Sequence, residues 1–188
     1  MIELRGVDDV RIDEPTPYLI EAKPAMEWLL GRPVQKVSPR YAHALFQRIF
    51  AARLADWAEG RGRVGTEWRF WLAPPGEIER YLVPDVAYLS YDRIGPTERD
   101  AAEEPHVAPD VAVEIRSPDD RNVHVLHKVD VYLRAGTLLV VLIDPIERTC
   151  VLHDVERQTV FGDRGRLEHP ALPGFSLELG DPFGALDA

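Results

Sequence analysis

Asp85, Glu114 and Lys128 are residues of this 188-residue chain whose types and spacing could do chemistry together. Asp85 lies in Val83-Pro84-Asp85-Val86, an apparent strand, and Glu114 in Val111-Ala112-Val113-Glu114-Ile115-Arg116, an apparent neighbouring strand. Lys128 falls on the helix expected after it. Two carboxylates on adjacent strands can hold a divalent cation, which lowers the pKa of its bound water and neutralises charge at phosphorus. A nearby ammonium can stabilise the pentavalent state or orient the water. The chemistry to expect is hydrolysis of a phosphodiester at a metal held by Asp85 and Glu114.

Alternation along residues 110–116 sets Val111, Val113 and Ile115 on one face and Asp110, Ala112, Glu114 and Arg116 on the other. Glu114 is mid-strand among apolar neighbours, so it should be partly buried and need a partner. Beside the metal-ligand reading, the alternatives are a carboxylate paired with Arg116, one pleat repeat away, or a plain solvent-facing acid. Pro84 before Asp85 points to a strand start, an edge or a bulge that re-aims the side chain. Arg121, His124, Lys128 and Tyr132 follow at steps of three and four and form one polar stripe, with Leu126, Val129 and Leu133 on the packing side. A solvated helix face would look the same. His43 and Gln47 on an earlier helix could reach the site, and Glu67 could be a third acid. His124 and His127 lack the glutamate of a zinc-protease helix, and neither a Gly-x-Ser-x-Gly elbow nor a phosphate-cradling glycine loop occurs.

The elements that must position these residues follow from periodicity. Ala42, Leu45, Phe46, Ile49, Phe50, Leu54 and Trp57 recur at helical spacing after Ser38-Pro39, where serine can cap and proline suits the first turn, and Gly60 supplies a stop. Residues 66–72 and 80–89 read as an antiparallel pair, and 91–109 as a long surface loop. Residues 110–116 form the next strand, and a helix follows from Asp119 or Asp120 to Ala135, closed by Gly136. The unbroken apolar run Leu138-Leu139-Val140-Val141-Leu142-Ile143 then fits a central strand buried on both faces. Strand, helix, strand without a hairpin implies a parallel crossover. Residues 148–153 and 158–161 suggest edge strands and 175–179 one more. Residues 25–30 read as a short helix before Gly31, within an N-terminal arm over 1–30 broken at Glu14-Pro15-Thr16-Pro17 and Lys23-Pro24.

The length suggests one domain spanning 1–188. With 22 Lys plus Arg against 32 Asp plus Glu, the formal charge of -10 opposes non-specific attraction to a polyanion, so a DNA substrate would need a local basic strip. Cys150 is the only cysteine and excludes an intramolecular disulfide or a multi-cysteine zinc site. The N-terminus lacks a signal-peptide pattern and no apolar run approaches the ~20 residues that span a bilayer. A cytoplasmic protein without membrane association is the expectation.

Val37-Ser38-Pro39 with His43, Val83-Pro84-Asp85-Val86-Ala87, Pro109-Asp110 through Arg116-Ser117-Pro118, Lys128 with Tyr132, Ile143-Asp144-Pro145 and Leu172-Pro173-Gly174-Phe175 occur in an order that resembles the Uma2 family (DUF820). The resemblance covers roughly residues 31–183 and sets the core at 31–184. It implies an α/β, restriction-endonuclease-like fold of the PD-(D/E)XK superfamily: a mixed β-sheet flanked by helices, with additional C-terminal strands. It also implies a nuclease dependent on magnesium or manganese (Mg2+ or Mn2+), with DNA as substrate, and commonly a homodimer. Asp85 is similar to the family's first acid and Glu114 to the acid of its second motif. The superfamily's lysine would fall at position 116, where this chain has Arg116, which keeps charge but cannot serve as a base. Lys128 is similar to the helix-borne lysine that replaces it. Arg116 therefore joins Asp85, Glu114 and Lys128 as a catalytic candidate, with His43, Glu67, Asp110, His124 and Tyr132 behind them. Two alternatives stay open: a non-catalytic module binding nucleic acid or protein on the same fold, and a metal-dependent hydrolase of a smaller phosphoester.

Overall fold

The computed structural model describes Tyr18 and residues 22–188. The greater part of the expected N-terminal arm, residues 1–17 with their proline breakers and residues 19–21, lies outside the described residues. The chain begins with a hairpin, β1 (Met26–Leu29) and β2 (Arg32–Gln35), in place of the helix expected over 25–30. Its two-residue turn holds Leu30 at φ 50° and Gly31 at φ 74°. Two successive positive φ values match a type I′ turn, whose twist suits a hairpin, and glycine takes one of them at no steric cost.

Helix α1 (Tyr41–Trp57) follows, with Arg40 rather than Ser38 at its N-cap and no side-chain capping bond there. The expected pair of long strands is instead two nested ladders. β3 (Gly62–Thr66) pairs with β6 (Val86–Ser90), while β4 (Phe70–Leu72) and β5 (Arg80–Leu82) form a separate two-stranded sheet between them. The run 91–109 is not a bare loop: it carries α2 (Arg99–Glu103) and buries Ile94, Ala102 and Ala108. Next come β7 (Val111–Ile115), α3 (Asn122–Arg134) and β8 (Leu139–Asp144), and β7 and β8 are parallel as the crossover requires. The strands β9 (Thr149–His153) and β10 (Gln158–Gly162) extend the sheet, β9 lying inside it and β10 at its edge. The short pair β11 (Arg166–Leu167) and β12 (Leu177–Glu178), then α4 (Gly180–Gly184), complete the chain; the strand expected over 175–179 shrinks to two residues.

The central sheet therefore has six strands in the order β10-β9-β8-β7-β6-β3, parallel only at β7–β8. It is the mixed sheet flanked by helices that was expected. One face packs Val111, Val113 and Ile115 against Phe46, Phe50 and Leu54 of α1. The other packs Ala87, Ala112 and Val140 against Val129 and Tyr132 of α3. The alternation of β7 thus sends its apolar residues to α1 and turns Glu114 toward α3.

Candidate active site

The β6–β7 ladder sets Val86 opposite Val113, so the next step of that register brings Asp85 against Glu114. Asp85 is 2% exposed and Glu114 7%. The backbone N–H of Ile115 donates to Asp85 Oδ2 at 2.7 Å, which fixes that carboxylate beside the Glu114 strand. Gln47 of α1 donates to the Asp85 carbonyl at 3.0 Å and to Glu67 Oε1 at 3.0 Å. His43, also on α1, places Nε2 3.2 Å from Asp85 Oδ2. Both acids thus sit where two strand ends and two helices meet.

Lys128 is not on a solvated face. It is 6% exposed, and its Nζ lies 2.5 Å from Glu114 Oε2 and 2.9 Å from Glu27 Oε1. Tyr132, one turn along, donates its hydroxyl to Glu114 Oε1 at 3.0 Å. The second half of the polar stripe of α3, Lys128 and Tyr132, is therefore buried together with Val129, while Arg121 stays exposed and Leu126, expected to pack, is 58% exposed. The reason is the sheet beneath: Glu114 needs donors, and a lysine and a tyrosine four residues apart on one helix face supply them.

Arg116 does not pair with Glu114. Its guanidinium bonds Asp144 Oδ2 at 3.0 Å and Asn122, at the wall of the same cavity. Asp110 is four residues back along β7, accepting from the Ser90 N–H at 2.7 Å and from Arg93 at 2.8 Å, so it serves the opposite end of the strand. Glu67 is near Asp85 but half-exposed, at φ 49° just beyond β3. His124 lines the cavity, and burial, then the Arg121 charge, lowers its pKa.

Two residues missed in the sequence complete the cluster. Glu27 on β1 is buried and accepts from Lys128 and, at 2.9 Å, from the Val83 N–H. Lys36, just after β2, directs Nζ to Asp85 Oδ1 at 2.7 Å, Val83 O at 2.9 Å and Glu67 Oε2 at 3.0 Å. The signal for Glu27 was a lone charge inside the apolar run Met26-Glu27-Trp28-Leu29. Lys36 had none beyond its place after a strand.

Glu27, Asp85 and Glu114 set three buried carboxylates against the two ammoniums of Lys36 and Lys128. Burial works to raise the Asp85 pKa, but Lys36 and His43 overrule it and hold that carboxyl far below the ordinary range. Burial also works against both lysines, and Asp85 for Lys36 and Glu114 with Glu27 for Lys128 outweigh it, so both stay charged. Glu114 takes up the imbalance: burial, with Asp85 and Glu27 close by, pushes its pKa up to about 8 against the pull of Lys128. Burial and Glu114 likewise raise the Tyr132 hydroxyl, which stays a donor.

These groups line a cavity of about 220 Å3 with Arg116, Arg121 and His124 on its walls. Among the described residues no group of three or more His, Cys, Asp and Glu side chains is arranged to hold a metal ion. The donors do suit an ion that keeps most of its water: magnesium commonly takes one or two carboxylates, and the carboxylates of Asp85 and Glu114 line one polar cavity. Two buried nitrogens of its lining, His43 Nδ1 and His124 Nε2, hydrogen-bond to no described residue and could serve coordinated water. The residues present thus fit a hydrated divalent cation.

Residues 14–180 match the model of the Uma2 family, described as "Putative restriction endonuclease". The chain is also similar to the crystal structure of "a putative nuclease belonging to DUF820" from Anabaena variabilis ATCC 29413, at 27% identity and a TM-score of 0.79. The similarity covers 89% of this chain and 94% of that one. No curated protein matches the chain.

Proposed function

The chain belongs to the Uma2 family, and from that premise we propose that it is a divalent-metal-dependent endonuclease that hydrolyses phosphodiester bonds of DNA in the cavity between β6, β7 and α3. The observation that carries this reading is the pairing of Asp85 with Glu114, locked by the 2.7 Å bond from Ile115 N–H to Asp85. Asp85 and Glu114 would hold magnesium or manganese. When bound, such an ion lowers the pKa of its water and offsets charge on the phosphate.

The chain's own residues account for the rest. Lys128, anchored by Glu27 and Glu114, keeps a fixed ammonium in the cavity where negative charge grows at phosphorus. Tyr132 orients Glu114 from the other oxygen. Glu114 holds a proton more readily than an ordinary glutamate, so metal binding should release it. Arg116 and Arg121 offer guanidinium groups for phosphates flanking the scissile one, the local basic strip that a chain of charge -10 requires. Among the described residues no helix is long and apolar enough to cross a membrane. The family resemblance supports a homodimer.

One observation favours a second reading, hydrolysis of a smaller phosphoester: both acids are buried, which suits a compact substrate. Incubating the pure protein with plasmid, single-stranded DNA and a nitrophenyl phosphodiester, in magnesium, manganese or EDTA, decides. DNA cleavage abolished by EDTA is expected. Cleavage undiminished in EDTA would remove the metal from the mechanism, and turnover of the small ester alone would favour the second reading.

A further inference from the structure

The cavity holds two lysines, Lys128 buried and Lys36 with a side chain 11% exposed, whose surroundings differ in one respect. Lys128 lies between Glu27 and Glu114, both buried. Lys36 divides its three donors among Asp85 Oδ1 at 2.7 Å, Val83 O at 2.9 Å and Glu67 Oε2 at 3.0 Å. Asp85 has a side chain 3% exposed, but that of Glu67 is 45% exposed and reaches solvent. Lys36 thus spans a buried acid and an accessible one with a single ammonium.

We propose that Lys36 is a built-in counter-ion that occupies the cation position on Asp85 in the metal-free protein and passes to Glu67 when a divalent cation binds. The proposal rests on the metal reading of the site. The other oxygen of Asp85 is committed to the Ile115 N–H, with His43 3.2 Å away, so Oδ1, where Lys36 sits, is the atom left to a cation. An ammonium and a divalent ion on the same oxygen repel strongly at a carboxylate this buried. Lys36 need not leave the cavity to relieve that, because Glu67 and the Val83 carbonyl already hold it from the far side. Gln47 bonds Glu67 Oε1 at 3.0 Å and leaves Oε2 directed at Lys36. Glu67 is in this account a positioning residue, acting on the metal only through Lys36. The arrangement keeps Asp85 compensated without metal and raises the cation concentration needed to fill the site.

The test is calorimetric titration of manganese into the full chain as wild type, Lys36→Met, Glu67→Gln and the double variant. Lys36→Met should bind manganese at least about tenfold more tightly, since a competing unit charge is gone. Glu67→Gln should weaken binding several-fold in the wild-type background, where Lys36 loses its second acid, and change nothing in the Lys36→Met background. Equal or weaker binding by Lys36→Met, or a Glu67 effect of the same size in both backgrounds, overturns the proposal while leaving the metal reading standing. Should Lys36→Met melt before titration, Glu67→Gln alone decides, and unchanged affinity overturns it. Manganese bound by none of the four proteins overturns the proposal and the metal reading together.

Discussion

Replacing Lys128 by methionine, which keeps most of the side-chain volume and removes the charge, should sharply destabilise the protein. The ammonium is 6% exposed and contacts Glu114 at 2.5 Å and Glu27 at 2.9 Å. Its loss leaves Glu27 without its cation and Glu114 without its amine donor, both of them buried. Breaking a buried ion pair from one side costs about 3–5 kcal/mol, because the remaining charge stays desolvated. Against a total stability of ~5–15 kcal/mol that is a large share. For a chain of this size, at ~2–4 °C per kcal/mol, the melting temperature should fall by roughly 6–20 °C. Urea unfolding and thermal melts in EDTA at neutral pH measure it. Adding Glu27→Gln to Lys128→Met should recover part of the loss, since one orphaned charge is then gone. A Lys128→Met protein that melts within about 2 °C of wild type would refute the electrostatic account of α3, and would restore the solvated-stripe reading of that helix.

Three further outcomes follow from the same cluster and its surroundings. In EDTA at neutral pH, Glu114→Gln should be close to wild type in stability, since its carboxyl already favours the proton, whereas Asp85→Asn should lose about 1–3 kcal/mol by leaving Lys36 short of a carboxylate; equal urea midpoints for the two would contradict this. The raised Glu114 pKa stabilises the fold fully below its ordinary 4.5, and that stability is lost as pH rises toward about 8. Stability of wild type minus that of Glu114→Gln should therefore decline across this window, and a flat difference in urea titrations would count against it. Cys150 is buried, and burial pushes its thiol up to about 12, so it should react with a disulfide reagent only after unfolding; prompt labelling of the native protein would show that strand β9 opens.

Much of the fold was legible in the sequence because its central elements are strongly patterned. The run ending in Ile143 is apolar throughout because β8 is covered on both faces, and β7 alternates because one side meets α1 and the other the site. The juxtaposition of Asp85 and Glu114 was legible for the same reason. What failed were elements whose local pattern fits two structures. Met26-Glu27-Trp28-Leu29 is too short to separate helix from strand, and its turn needs a positive φ at Leu30, a residue that seldom adopts one. With that hairpin unread, Glu27 and Lys36 could not be placed at the site. Spacing alone left the stripe on α3 open between the site and solvent, because a polar face covering buried acids has the same spacing as one facing water, and Leu126, expected to pack, is exposed. The alternative pair of Arg116 with Glu114 rested on nearness along β7, whereas Arg116 meets Asp144 on neighbouring β8.

The claim that the Asp85–Glu114 cavity hydrolyses DNA is tested most directly by timing plasmid cleavage in manganese with wild type and Asp85→Asn purified side by side, each shown by circular dichroism to be folded. Wild type should cleave, and Asp85→Asn should be slower by at least about 100-fold, as expected when a carboxylate that holds the metal is lost. Equal cleavage by the two proteins would place the activity elsewhere and contradict the account.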